Sequence, residues 1–254
     1  MKLISLNIWG GIVYEPLMNF IAAQSPAIDI FCFQEIFRTD SDVKTYKGAR
    51  MNIYTEIQNR LPEHQGFFAP AQDGLAQGDL VDFPVSSGLA IFIKKSLTVK
   101  KCADIFVVHE RNSFQGSGFS LGRNVQYLEF ARDGRKCTIA NFHGLWDGQP
   151  KVDTPDRLQQ SHNIKAFLDQ IQTPKIICGD FNLLPTTESL RIVKEGLVDL
   201  IEKNHISSTR SHYYLKEARF ADYAIVSPDI KINEFTVWSD AVSDHLPLYL
   251  DFEI

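Results

Sequence analysis

Short runs of consecutive apolar residues alternate along the chain with a few segments of helical spacing, and polar residues stand where the apolar runs stop. Leu3 to Ile8 predicts a strand that gives way to the loop signal Trp9-Gly10-Gly11, and Leu17 to Ala23 follows with helical spacing. Ile28 to Phe33 predicts a second strand ending in Gln34-Glu35, and Tyr46 to Leu61 has helical character closed by Pro62. Residues 64–87, rich in Gly, Pro, Gln and Asp, predict a long surface excursion. Ser87 to Ile93, Leu97 to Val108 and Asn124 to Phe130 predict strands, the last two separated by a loop over 111–122. The Asp133-Gly134 turn predicts a hairpin into Lys136 to His143. Thr154-Pro155-Asp156 is a helix start, with a capping hydroxyl, a proline for the first turn and an acid at the positive end of the dipole. Leu158, Ile164, Phe167, Leu168 and Ile171 then supply an apolar face. Lys175 to Gly179 predicts a strand, Glu188 to Glu195 a helix, and Phe220 to Val226, Phe235 to Trp238 and Leu248 to Phe252 the closing strands. Strands outnumber helices and no linker interrupts them, so the pattern predicts one α/β domain over residues 1–254, with sheets inside and helices outside.

Composition narrows the function. With 26 basic and 31 acidic side chains the formal charge is -5, which argues against holding nucleic acid through bulk positive charge and leaves a local basic cleft open. Cys32, Cys102, Cys137 and Cys178 lie far apart, mostly within apolar runs, and show neither CxxC nor Cys/His metal spacing. They read as small buried hydrophobes in a reduced compartment. The first strand starts at the N-terminus without room for a cleavable leader, and no run reaches the roughly 18 apolar residues of a membrane helix. A cytoplasmic protein without stable membrane insertion is expected, and nothing in the sequence points to a protein partner.

The chemistry gathers around Gly179-Asp180-Phe181-Asn182. An apolar run stops there and delivers a carboxylate and a carboxamide two residues apart, a spacing that puts both on one side of an extended backbone. Asn7, Gln34-Glu35, Asn141-Phe142-His143, Asp222 and Asp244-His245 likewise stand at strand exits or inside strand-like runs. Each alone has a structural explanation, as a cap, a turn or a satisfied core group. Together, acids, amides and histidines suit phosphate ester hydrolysis, which needs a cation, a group to activate water, and donors to the phosphoryl oxygens. Mg²⁺, with Mn²⁺ as a substitute, fits a site with few carboxylates: Glu35 supplies an oxygen and Asn7 or Asp244 helps. Zinc is disfavoured because no Cys/His cluster exists. Each of the two histidines is expected to have its pKa raised by an adjacent Asp, and so to donate to phosphate. Arg38, Arg111, Phe114, Arg123, Trp146, Arg210 and Arg219 are candidates for binding and stacking single-stranded nucleic acid.

The series Leu6-Asn7-Ile8-Trp9-Gly10, Gln34-Glu35, His143, Gly179-Asp180-Phe181-Asn182, Asp222-Tyr223 and Ser243-Asp244-His245 resembles the endonuclease/exonuclease/phosphatase superfamily, in family order over nearly the whole chain. That superfamily includes DNase I, AP endonucleases, deadenylases, neutral sphingomyelinases and inositol polyphosphate 5-phosphatases. The resemblance implies a DNase I-like fold: a four-layered α/β sandwich of two central β-sheets flanked by helices. It implies Glu35 as principal metal ligand with Asn7 beside it and Asp244 completing the metal environment. It implies Asp180 as the residue orienting or deprotonating the attacking water, Asn182 as a phosphate or water ligand, and His245 on the scissile phosphate, held and charged by Asp222. His143 resembles a second phosphate-contacting histidine, and Arg123 stands as a further substrate-binding residue.

The branches differ in detail. Glu35 is followed by Ile36-Phe37-Arg38 instead of the lysine usual in AP endonucleases, and Leu183-Leu184-Pro185 replaces their small residues. The expectation is a Mg²⁺-dependent phosphodiesterase, a nuclease of endonuclease or exonuclease mode, acting on nucleic acid. The alternatives are a sphingomyelinase-like lipid head-group or small-molecule phosphodiesterase, and a noncatalytic binding module. Selection among substrates falls to the loops at 64–87 and 111–122.

Overall fold

A computed structural model of the chain describes residues 1–114, 121–146, 148 and 150–254. In chain order its first half comprises β1 (Lys2–Asn7), a 3-10 turn at Trp9–Gly11, α1 (Tyr14–Gln24), β2 (Ile30–Arg38), the hairpin β3 (Thr45–Tyr46) and β4 (Ala49–Arg50), α2 (Ile53–Arg60), β5 (His64–Asp73), the hairpin β6 (Leu75–Ala76) and β7 (Asp79–Leu80), β8 (Ser86–Lys94) and β9 (Thr98–Val108). The second half comprises β10 (Arg123–Arg132), β11 (Arg135–His143), α3 (Pro155–Gln170), β12 (Lys175–Asp180), α4 (Glu188–Val193), β13 (Val198–Asp199), α5 (Leu200–Lys203), β14 (Asp222–Val226), β15 (Lys231–Val237) and β16 (Leu248–Glu253).

Two six-stranded sheets hold these strands in the orders β15-β16-β1-β2-β8-β5 and β13-β14-β12-β11-β10-β9. Each sheet has one parallel pair, β1 with β2 and β11 with β12, and all its other pairings are antiparallel. A parallel pair needs a crossover, which α1 provides in the first sheet and α3 in the second. Alternation along β1 and β2 sends Leu3, Ile30 and Cys32 into the core between the sheets and Ile4, Leu6, Phe31 and Phe33 outward. The outward set packs with Leu17 and Ile21 of α1 and with Ile53 and Ile57 of α2. Ile164 and Leu168 of α3 and Leu190 and Val193 of α4 join the other apolar cluster, which includes Ile139, Ile177 and Tyr223 of the second sheet. The result is two mixed sheets flanked by helices, the DNase I-like architecture that the motif series implies.

Local expectations needed correction in four places. The excursion predicted over residues 64–87 is regular for much of its length: His64–Asp73 is a ten-residue strand at the edge of the first sheet. Pro70 and Gly66 pointed to a loop, but an edge strand tolerates proline, and here the register shifts between Pro70 and Gln72. The helix read over Tyr46 to Leu61 covers only Ile53–Arg60, because Lys47 and Gly48, both at positive φ, turn the β3–β4 hairpin just before it. Third, Thr154 caps α3 by accepting the Arg157 N–H, as expected, but Leu158, Phe167 and Ile171 are only half-buried. Arg157 is fully buried instead, donating to the carbonyls of Leu145, Pro150 and Val152 and so bracing the loop between β11 and α3. Fourth, the histidines and the Asp180–Asn182 pair differ from expectation in ways described with the site below. Within the predicted 111–122 loop, residues 115–120 lie outside the described residues. No helix among the described residues is long and apolar enough to cross a membrane.

Candidate active site

The strand parity that builds the core also builds the site. On β1, β11 and β12 the inward set continues past the apolar residues to the last position of each strand, where Asn7, His143 and Asp180 stand. The Asn7 carboxamide donates to Asp180 Oδ2 at 3.1 Å and to Glu35 Oε1 at 2.9 Å, joining the two sheets at one end. Just below, the carboxamide of Gln34 donates to Asn141 Oδ1 at 2.7 Å, and Asn141 donates to the Phe33 and Ala90 carbonyls. These buried amides fasten the two sheets beneath the site.

Glu35 breaks parity. On β2 the even positions 30, 32 and 34 face inward, so regular alternation would turn Glu35 away from Asp180. The register of β2 against β8 shifts between Phe33 and Ile36, and Glu35 takes φ +57. The bulge with its left-handed residue returns the carboxylate to the site. Asn182 is also unlike its prediction. The strand stops at Asp180, and Asn182, at φ +53, donates its backbone N–H to Asp180 Oδ1 at 2.9 Å. A side-chain-capped turn, and not a shared face of one extended strand, brings the two residues together. Gly179 holds φ +137, and a β-carbon there would lie 1.9 Å from the Phe142 carbonyl oxygen.

Asp180 and Asp222 of the second sheet meet His245, which the connection between β15 and β16 of the first sheet delivers, in a linked set of acids and base. His245 Nδ1 meets both oxygens of Asp222, at 2.7 and 2.9 Å, and the Thr209 hydroxyl donates to Asp222 Oδ2 at 2.7 Å. His245 Nε2 is then left facing Asp180 Oδ2 at 3.4 Å. Burial and the Arg210 guanidinium against Nε2 both work against a charged His245 ring, but the Asp222 carboxylate and then Asp180 outweigh them and its pKa is raised. Burial also works against a charged Asp180, and here Lys151, His245 and Arg210 overcome it, holding the carboxyl far below the usual carboxylate range. His143 goes the other way: burial and then Arg123 push its pKa well down, against the expectation that a nearby Asp would raise it. Arg123 Nη1 lies 3.3 Å from His143 Nδ1. A guanidinium can only donate, so Nδ1 accepts, and the ring is a neutral donor through Nε2–H, 3.7 Å from Asp180 Oδ2.

A cleft of about 440 Å³ opens above these residues. Its floor includes Glu35, Asp180, Asn182, His143, Asp244 and His245, and its walls include Trp9, Trp146 and Tyr214. Of the basic and aromatic candidates from the sequence, Arg123, Trp146 and Arg210 line it. Arg38 lies instead over the Tyr54 ring, Arg111 pairs with Asp73, and Arg219 and Phe114 are not in the lining. Sequence reasoning missed Lys151, which is buried and donates to Asn182 Oδ1 at 2.7 Å. Burial lowers its pKa despite the nearby acids. It follows no strand and belongs to no motif, so only the fold brings it to Asn182. Arg210 was a candidate for binding nucleic acid, but its contacts with Asp244 and His245 were not foreseen. It is 7% exposed, donates to Asp244 Oδ2 at 3.0 Å, touches His245 Nε2, and lies over the Tyr214 ring.

Two arrangements could hold a divalent cation. Asp180, Asp222 and His245 offer ligand atoms within 4.8 Å of one another. However, His245 Nδ1 and Asp222 already occupy each other, which is the geometry of a histidine held by a carboxylate. Glu35 fits a hard cation better. Its carboxyl pKa is raised, first by the low-dielectric walls around it and then by the Asp244 carboxylate, so two acids crowd one spot. A dication among oxygen donors would relieve that repulsion. Asn7 turns its amide nitrogen to the carboxylates and uses its oxygen for the Trp9 N–H at 3.0 Å.

Comparison with known proteins agrees with the fold. The model of the Endonuclease/Exonuclease/phosphatase family matches residues 4–245. Among solved structures, a mannosyl-6-phosphatase of Bacteroides thetaiotaomicron is similar at 18% identity and TM-score 0.73, over 100% of both chains. The human Nocturnin catalytic domain is similar at 22% identity and TM-score 0.67, covering 100% of this chain and 93% of its own. A humanised D. rerio TDP2 is similar at 15% identity and TM-score 0.66, covering 100% of this chain and 99% of its own. No curated protein matches. Members of the matched family are generally hydrolases of phosphoester bonds that use a divalent metal. The chain belongs to the endonuclease/exonuclease/phosphatase family.

Proposed function

We propose that this protein, acting as one catalytic domain over residues 1–254, is a Mg²⁺-dependent phosphoesterase whose ester is carried by nucleic acid. The observation that carries the reading is the convergence of Asp180 with a carboxylate-held His245 and with Glu35, across two sheets, on one cleft. Glu35, with Asp244 beside it, would hold the cation, which supplies positive charge to offset the charge that develops on the phosphoryl oxygens. Asp180, kept ionised, accepts a hydrogen bond from the attacking water and aims it at phosphorus. Its low basicity suits orientation more than full proton removal. His245, kept charged by Asp222, donates to a phosphoryl oxygen, as do the neutral His143 and the Asn182 amide. Asn7 donates to the carboxylates and keeps them facing the cleft. Trp9, Trp146 and Tyr214 offer faces for a base, and Arg123, Arg210 and Lys216 offer positive charge, the combination that retains single-stranded nucleic acid. The location expected from the sequence, the cytoplasm, is compatible with such substrates.

The test is a panel of single- and double-stranded DNA, RNA, terminally phosphorylated oligonucleotides and sphingomyelin, each with Mg²⁺, Mn²⁺ or EDTA. Metal-dependent turnover of a nucleic-acid phosphoester is expected. Turnover of the lipid alone would overturn the substrate class, and inertness toward all of them would overturn the enzymatic reading.

A further inference from the structure

The expectation from the sequence is an internal phosphodiester, but the charges around the cleft favour another ester. We propose that the site selects a terminal phosphomonoester, such as the end phosphate of a nucleic-acid strand or a nucleotide. This rests on the phosphoesterase reading above and narrows it. The observation is a pattern that the catalytic roles do not require. Each of three candidate phosphate donors, His143, Asn182 and His245, is contacted by its own basic side chain. Arg123 lies 3.3 Å from His143, Lys151 donates to Asn182 at 2.7 Å, and Arg210 touches His245. The three donors belong to separate elements, the end of β11, the turn after β12 and the loop before β16, and all three line one cleft together with their cations.

A phosphodiester carries two nonbridging oxygens and one negative charge. A monoester carries three and, above a second pKa near 6, approaches two charges. Three donor and cation pairs match the second kind of group. Arg210 is already paired with Asp244, but the other two cations are costly to keep buried without such an anion. Lys151 and Arg210 are each 7% exposed, and burial lowers the pKa of Lys151 and brings that of Arg123 to about 10. Arg123 and Arg210 each bury an Nε–H that finds no acceptor among the described residues. Buried donors without acceptors are uncommon unless a ligand answers them. The cleft, at about 440 Å³, belongs to the size class that encloses one small molecule.

The experiment uses the full chain with Mg²⁺ and two substrates with one leaving group, p-nitrophenyl phosphate and bis(p-nitrophenyl) phosphate. It is repeated with a 3′- or 5′-phosphorylated oligothymidylate against its unphosphorylated counterpart. The wild type is expected to favour the monoester in kcat/KM by at least about tenfold, the scale of one charged contact. Arg210→Gln and Lys151→Met, with folding confirmed by thermal melting, are expected to reduce this preference about fivefold or more each. Equal or faster turnover of the diester would overturn the inference and leave the phosphoesterase reading intact. An unchanged preference in both variants would also overturn it. Inertness toward both esters with Mg²⁺ and Mn²⁺ would overturn the phosphoesterase reading, and this inference with it.

Discussion

The units β1–α1–β2 and β11–α3–β12 have the same plan: a parallel pair near the middle of a six-stranded sheet, crossed over by one helix, with polar residues at the strand ends. What they carry differs. The first ends in Asn7 and Glu35, an amide and an acid with no basic side chain hydrogen-bonded to either among the described residues. The second ends in His143 and Asp180 and is surrounded by Arg123, Lys151, Arg210 and the His245–Asp222 pair. The same scaffold therefore yields one side whose carboxylate has no basic partner in hydrogen-bond contact among the described residues, suited to a cation, and one side where basic groups gather around Asp180, suited to phosphate. The amide seam of Gln34 and Asn141 holds the two in fixed relation. The lesson is that topology sets where the chemistry sits, and a few side chains on each half set its sign.

If the division holds, the largest losses come from the phosphate side. Asp180→Asn and His245→Ala are each expected to lower kcat by about 10²- to 10⁴-fold, with the apparent Mg²⁺ affinity changing far less. Steady-state kinetics across a metal titration reads both quantities, and activity within tenfold of wild type would remove these residues from the mechanism. Glu35→Gln probes the other side. It is expected to raise the Mg²⁺ concentration for half-maximal activity by about tenfold or more. An unchanged metal requirement would move the cation toward Asp180, Asp222 and His245, erasing the contrast between the halves.

Smaller effects sharpen the comparison. Asp222 raises the His245 pKa, so the charged ring is present below that raised value and is lost as pH rises through it. Asp222→Asn removes the raising influence, and the alkaline limb of the kcat profile is expected to move to lower pH. A limb that stays in place would show that His245 charge does not govern turnover. Gln34→Ala leaves the Asn141 oxygen without its donor and is expected to cost about 1–3 kcal/mol in stability. Thermal or urea unfolding measures this, and the variant's metal requirement is expected to match wild type.

Much of this was legible in the sequence because strand exits leave a clear record. Apolar runs that stop at Asn7, Gln34-Glu35, His143 and Asp180 needed only the pairing of two sheets to meet. The family motif implied that pairing, and the family match and the two-sheet fold support it. What stayed hidden depends on long-range contact or on local backbone irregularity. Lys151 and Asn182 are 31 residues apart, and nothing near either foretells their hydrogen bond. Glu35 reaches the site through a bulge whose left-handed residue is not a glycine, so the sequence carries no marker for it. The opposite pKa directions of His143 and His245 follow from which neighbour each ring has, Arg123 or Asp222, and each lies twenty or more residues away. The His64–Asp73 strand was hidden by its own proline and glycine, which an edge position tolerates.

The most direct test of the central claim is release of inorganic phosphate from a terminally phosphorylated oligonucleotide by the wild type and by His245→Ala, each with EDTA and then with Mg²⁺ restored. The account expects release by the wild type only when Mg²⁺ is present, and release by the variant reduced at least about a hundredfold. Release that persists in EDTA, or that survives loss of His245, would contradict it.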